Sequence, residues 1–250
     1  MDTQVTERAK ELYDEIMFGH LGYNRAEYNP LLYDFLSKVK DNDTLFDIGC
    51  GSGYWMEEYI KYGISQKQIT GIDISPAVIE NLKKRGFNAY YGNVLDLDIK
   101  DNLSNFTICN GVIHHTYNPF QAFKEIVRIT KPLGYIYLSV YNQWNPYYYL
   151  VHKATYPIRY IYWNYNKKIV DCIYPVAKNI FQPLALLMLG KALDDQVARN
   201  LFMDQVITPR AYLFSKTKIL SYAYKCNCEI ISIKYTNQYF MVTAIIRKRD

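Results

Sequence analysis

Leu45-Phe46-Asp47-Ile48-Gly49-Cys50-Gly51-Ser52-Gly53 is the stretch that decides the fold, and Gly71-Ile72-Asp73-Ile74-Ser75 completes it. A short apolar run enters a turn with glycines at alternate positions, and a second apolar run ends in an acid. Glycines so spaced remove the Cβ atoms that keep backbone away from a ligand. The helix expected after the turn directs its amino-terminal end at the same place. Asp73, at the carboxyl end of the second run, is placed to hold a ribose diol with its two oxygens.

The spacing narrows the ligand. A dinucleotide fingerprint requires Gly-x-Gly-x-x-Gly, whereas Gly49, Gly51 and Gly53 alternate and Tyr54 stands at the third glycine's place. No Gly-Lys-Ser/Thr follows, which argues against a nucleoside triphosphate site. Asp47 lies two residues before the first glycine, badly placed beside a pyrophosphate and well placed for an ammonium group. The pattern points to a nucleoside-like ligand with a cationic end and no phosphate.

Further segments follow in order: Gly92-Asn93-Val94, Phe106-Thr107-Ile108-Cys109-Asn110-Gly111-Val112-Ile113-His114-His115, and Arg128-Ile129-Thr130-Lys131-Pro132-Leu133-Gly134. The set resembles the class I S-adenosylmethionine-dependent methyltransferases, of the small-molecule type with a His-His loop after the fourth strand. The resemblance covers roughly residues 40 to 142 and resumes near the C-terminus. It implies a Rossmann-like three-layer α/β sandwich whose seven-stranded, mostly parallel sheet has an antiparallel end. It implies S-adenosylmethionine as cofactor, with Gly49, Cys50, Gly51 and Gly53 in the cofactor loop and Asp47 supporting the methionine ammonium. Asp73 would hold the ribose hydroxyls and Ile74 would pack on the adenine. Asn93, where the family has an aspartate, and Val94 would face the adenine edge, and Asn110 and Gly111 would lie along the methionine portion. His115, and after it His114, are the candidates for a base, since ligands of open α/β sheets collect at the carboxyl ends of strands.

The bulk numbers agree with one α/β domain plus an elaboration: 250 residues, half of them hydrophobic, and a net charge of +5 without a basic arm. The five cysteines have no framework spacing, and Cys226-Asn227-Cys228 lacks a second ligand pair, so no metal is expected. Met1 to Lys10 is polar and charged, which reads against a signal peptide and for a reducing cytoplasm.

Helical spacing predicts helices over Val5–Met17 and Tyr28–Val39 within residues 1–40; the resemblance implies that they are cofactor-covering helices, with Tyr23 and Tyr28 either facing the cofactor or, the favoured alternative, simply packed. Residues 41–141 and 209–250 make the core. Strands are expected at 44–48, 69–73, 87–91, 106–110 and 134–141, a helix over 215–225, and a closing hairpin from 229–235 and 239–247. Ser75-Pro76 and Asn118-Pro119 start helices. Residues 142–208 exceed any ordinary connection and are rich in tyrosine and tryptophan. They are read as a lid over the acceptor; a self-packed helical cap and a homodimer interface are the alternatives.

Two matches are discounted. Asn145-Pro146-Tyr147-Tyr148 is similar to the Asn-Pro-Pro-Tyr motif of amino-methylating nucleic-acid enzymes, but it falls after the wrong strand. Leu184 to Leu189 is too short to span a bilayer, though it makes 176–193 a candidate for contact with a membrane surface. The functional expectation is methyl transfer to oxygen or nitrogen of a small-molecule acceptor, with no strong nucleic-acid signal; the absence of the amino-methylating motif and of a basic, aromatic-studded surface argues against an RNA methyltransferase. The alternatives are a peripheral-membrane enzyme acting on a quinone-like or lipid-linked acceptor, and a non-catalytic cofactor-binding partner subunit.

Overall fold

The computed structural model of the chain describes residues 2–16, 30–189, 194–237 and 239–250. Two helices, α1 (Asp2–Ile16) and α2 (Pro30–Leu36), precede the sheet. Strand and helix then alternate: β1 (Leu45–Ile48), α3 (Tyr54–Lys61), β2 (Ile69–Asp73), α4 (Pro76–Lys84), β3 (Asn88–Tyr91), β4 (Ser104–Asn110), α5 (Pro119–Ile129) and β5 (Thr130–Tyr141). Four helices follow, α6 (Pro146–Ala154), α7 (Tyr156–Asn164), α8 (Ile169–Leu189) and α9 (Asp195–Phe202), then a π-helical turn at Met203–Ile207. The chain closes with α10 (Lys216–Lys225), β6 (Cys228–Thr236) and β7 (Met241–Lys248).

The seven strands form one sheet in the order β3-β2-β1-β4-β5-β7-β6, parallel except for β7, which runs against β5 and β6. Successive strand residues face opposite sides. Leu45, Ile69 and Phe106 therefore join the core under α2, α3 and α4, while Phe46, Ile72 and Cys109 join the core under α5 and α10. Burial on both faces is why β1 and β2 are sealed along their whole length, whereas edge strand β3 buries only Ala89. From β1 the chain steps outward to β2 and β3, then returns to the other side of β1 as β4. That reversal opens the crevice where such sheets bind ligands.

Local chemistry sets the helix starts. The Ser75 hydroxyl accepts the Val78 amide at 3.2 Å, and the Asn118 carbonyl accepts the Gln121 amide at 3.1 Å, each followed by a proline in the first turn. Asn145 caps α6 in the same way, accepting the Tyr147 amide at 2.9 Å. The Asn-Pro-Tyr-Tyr stretch is thus a helix start. Two boundaries differ from expectation. α2 begins at Pro30, whose fixed φ suits the first helical position, and is shorter than 28–39. β5 begins at Thr130, because Lys131 precedes a proline and is driven to extended backbone, and Thr130 already pairs with Ser104. Tyr23 and Tyr28 lie outside the described residues, as do the side chains of 184–189.

A third hydrophobic cluster joins α1 to the inserted helices. Leu12 and Ile16 pack with Tyr162 of α7, Tyr174 of α8 and Phe202 of α9. Arg8 reinforces the contact, donating to the Trp163 carbonyl at 3.1 Å. Among the described residues no helix is long and apolar enough to cross a membrane.

Two core positions yield predictions. Gly53 opens α3 with φ at 81°, and a Cβ there would lie 2.5 Å from Leu82 Cδ2. Gly53→Ala combines left-handed strain with overpacking and is expected to lower unfolding free energy by about 2 kcal/mol or more, read by urea titration. Asp47 is buried within β1; burial pushes its pKa up to about 7, with the adjacent Tyr59 phenol opposing the rise. Its folded pKa exceeds the unfolded one, so the folded state holds the proton preferentially, and stability falls as pH rises from about 4 to about 7. Asp47→Asn removes that slope and is expected to be the more stable protein at about pH 8, by up to about 4 kcal/mol. Parallel pH profiles of the two proteins would sink this account.

Candidate active site

The carboxyl ends of β1, β2, β4 and β5 open onto a cavity of about 220 Å³. Asp73 organises its inner side. One carboxylate oxygen accepts the Gly51 amide at 2.9 Å and the other accepts the Ser75 amide at 3.0 Å. The Gly49 and Cys50 amides go to the Ile72 carbonyl at 2.7 and 3.2 Å. The glycine turn thus commits three N–H groups to its own sheet, and it offers a ligand shape instead of anion donors. This geometry suits a ligand without phosphate, since phosphate cradles depend on free amides.

Most residues expected at the cofactor do line this cavity: Gly49, Cys50 and Gly51 of the turn, Asp73 and Ile74 after β2, Asn93 and Val94 after β3, and Asn110 and Gly111 after β4. Asn93 differs in detail. Its side-chain oxygen already accepts the Leu95 amide at 3.0 Å, which leaves one lone pair for an adenine amine. Gly111 has φ at 84°, and nothing lies within 4 Å of the point where a side chain would begin. The cavity stays open there because the residue is bare. Apolar walls at Ile74, Val94 and Leu95 beside the Asp73 carboxylate fit an adenosine moiety, and the free space at Gly111 fits the amino-acid arm of S-adenosylmethionine.

Three expected residues lie elsewhere. Asp47 does not line the cavity; its Oδ2 is buried without a hydrogen-bond partner among the described residues. Gly53 is replaced at the cavity by its neighbours and serves the close approach of α3 to Leu82. His114 is fully buried with both ring nitrogens unpartnered among the described residues, its ring tilted against those of His115 and Tyr141 with centres 4.1 and 3.9 Å away, so it supports the wall without lining the cavity.

His115 does line the cavity. Its Nδ1 lies 3.0 Å from the Arg210 carbonyl. A carbonyl only accepts, so Nδ1 carries the hydrogen and Nε2 keeps its lone pair. Burial holds the imidazole below its ordinary pKa, partly offset by the charge of Asp204 and by the Arg210 hydrogen bond. The ring is neutral and basic at neutral pH.

A second cavity of about 150 Å³ shares His115, Tyr141, Tyr148, Asp204 and Gln205 with the first. Of these, Tyr141, Asp204 and Gln205 are not singled out in the sequence reading, and Tyr148 enters it only within the discounted Asn-Pro-Tyr-Tyr stretch and the aromatic insertion. Tyr141 and Tyr148 stack at 3.8 Å, and Tyr141 meets the His115 ring edge-on at 5.2 Å. Asp204 and Gln205 are adjacent polar residues on the π-helical turn, a rare geometry frequent at functional sites. The one sequence signal was an acid and an amide inside the apolar run Leu201–Ile207.

Comparison with known proteins agrees with this geometry. Residues 46–138 match the methyltransferase domain family. The chain is 27% identical over 132 residues to the macaque (Macaca fascicularis) tRNA (carboxymethyluridine(34)-5-O)-methyltransferase ALKBH8, covering 51% of this chain and 19% of that protein. It is 31% identical over 115 residues to the human (Homo sapiens) probable tRNA methyltransferase 9B, covering 45% and 24%. The aligned stretch therefore spans a quarter or less of either relative's length. An S-adenosylmethionine-dependent methyltransferase of Methanosarcina mazei superposes with a TM-score of 0.53 at 18% identity over 88% of this chain and 97% of that one, a likeness of fold. The relatives correct one expectation: proteins that act on tRNA overturn the reading of a small-molecule acceptor without a nucleic-acid partner. Cofactor cavity, strand order and family match converge: residues 46–138 match a methyltransferase domain, set in a sheet with the fold of S-adenosylmethionine-dependent methyltransferases.

Proposed function

We propose that the chain methylates an oxygen or nitrogen of a nucleoside in RNA, with the inserted helices as the lid over the acceptor. The observation that carries this reading is the wall that the two adjacent cavities share, built from His115, Tyr141, Tyr148, Asp204 and Gln205. A cofactor space beside an aromatic, polar chamber supports alignment of an acceptor, the main requirement of methyl transfer. Bound S-adenosylmethionine supplies a methyl group already activated by its positive sulfur. The chain's own residues hold the ribose at Asp73, shape the space at Gly111, and receive the proton that an acceptor O–H or N–H gives up at His115 Nε2.

The RNA acceptor is supported by the names of the relatives and by the surface of the inserted helices. Trp144, Tyr149, Tyr156, Tyr160 and Tyr165 are all exposed, Tyr165 by 75%. The Lys153 ammonium sits 4.2 Å from the Tyr149 ring centre. Bases stack on such rings with about 1–3 kcal/mol each, and lysines attract the phosphates.

Calorimetric titration with S-adenosylhomocysteine is expected to show binding that Asp73→Ala weakens by about tenfold or more, the loss of charged hydrogen bonds. Labelled methyl groups from S-adenosylmethionine are expected in nuclease-sensitive material when total RNA is supplied. Cofactor binding with no label in RNA would remove the RNA acceptor. For His115→Gln, turnover is expected to drop by about 10²- to 10⁴-fold. The wild-type rate should climb with pH only below about 6.5, the ordinary histidine value, since burial lowers this one, and then stay level. A rising limb that persists in the variant would assign the base elsewhere.

A further inference from the structure

The chamber beyond the cofactor cavity carries opposite charges at its two ends. Asp204 is buried, 5% exposed, and faces both cavities. Its Oδ2 accepts the Gln205 amide at 2.7 Å, but its Oδ1 is buried with no hydrogen-bond partner among the described residues. A buried carboxylate oxygen without a donor is costly. The charge of Asp204 is felt by Tyr13, Tyr141 and His115, which places it among the aromatic walls. Asp204 and Gln205, successive polar residues on the π-helical turn, both border the same space.

The outer end is positive. Exposed Lys153 lines the second cavity together with Tyr149 and His152. Behind His152 lies Arg159, 5% exposed, whose guanidinium donates to the His152 ring at 2.9 Å and to the His152 carbonyl at 2.7 Å. No carboxylate among the described residues pairs with Arg159. A nucleotide has the matching polarity: a planar ring that donates at one end and an anion at the other.

We infer that this chamber selects its acceptor by a ring N–H: the base edge donates to Asp204 Oδ1, the ring packs on Tyr141 and Tyr148, and the phosphate lies toward Lys153 and Arg159. This rests on the RNA reading above and narrows it. Uracil and guanine offer a ring N–H on the pairing edge; cytosine and adenine present a bare nitrogen there, which meets Asp204 with repulsion.

The test measures binding of three single-stranded probes to the full chain saturated with S-adenosylhomocysteine: oligouridylate, oligo-N3-methyluridylate and oligocytidylate. The wild-type protein is expected to bind oligouridylate about tenfold or more tighter than the other two. In Asp204→Asn the side-chain oxygen keeps the Gln205 amide and the new NH2 group faces the chamber. Affinity for oligouridylate then falls and affinity for oligocytidylate rises, reversing the order. Equal binding of all three probes by the wild-type protein overturns selection by Asp204 and leaves an RNA acceptor standing. Unchanged preference in a folded Asp204→Asn overturns it as well. Binding of none of the probes, with S-adenosylhomocysteine still bound, overturns the RNA acceptor and this selection with it. The methylated probe keeps the question answerable on the wild-type chain should the variant fail to fold.

Discussion

The Asp73 carboxylate is the joint from which the site is built. Its two oxygens take the Gly51 and Ser75 amides, so one side chain fixes the glycine turn after β1 and the start of α4 after β2. Ser75 in turn bonds Asp14 of α1, which brings the N-terminal helix down over the same crevice. Burial raises the pKa of Asp73, and the amide hydrogen bonds oppose that rise. A carboxylate so held is expensive to bury and expensive to remove. The cavity keeps its shape because the turn and the helix start are tied to the same acid, and α1 is tied to them through Ser75.

The core was legible because local and global signals agree in it. Leu45–Ile48 and Ile69–Asp73 are short apolar runs between turn residues, and parallel strands buried on both faces read that way. Ser75-Pro76 and Asn118-Pro119 announce their helices by chemistry that needs no tertiary context. The strand order followed from family resemblance, and the residues after β2, β3 and β4 fell at the cavity because ends of parallel strands converge there. Asp47 misled for a physical reason. Its spacing from the glycines matches a ligand contact, but a residue inside a fully buried strand points into the core.

Asp204, Gln205 and Tyr141 were beyond such reading. They meet His115 through packing of the inserted helices, and no spacing along the chain encodes that distance. The π-helical turn is also silent in the pattern, since its extra residue per turn changes which side chains share a face without changing composition. The exclusion of nucleic acid failed likewise. It rested on a misplaced motif and on the want of a basic, aromatic-studded surface, and the sequence does not tell which rings of the insertion, such as Trp144, Tyr149 and Tyr156, stay exposed. The curated relatives named above match about half of the chain.

The third hydrophobic cluster has a kinetic meaning. α1 and the inserted helices α7, α8 and α9 share one core, with Leu12 and Ile16 on one side and Tyr162, Tyr174 and Phe202 on the other. α1 also borders the cofactor cavity through Ala9 and Tyr13. Helices that share a core lift together or stay shut, since splitting the cluster exposes apolar surface to water. Under the lid proposed above, access to the cofactor cavity and to the chamber beside it depends on this one cluster.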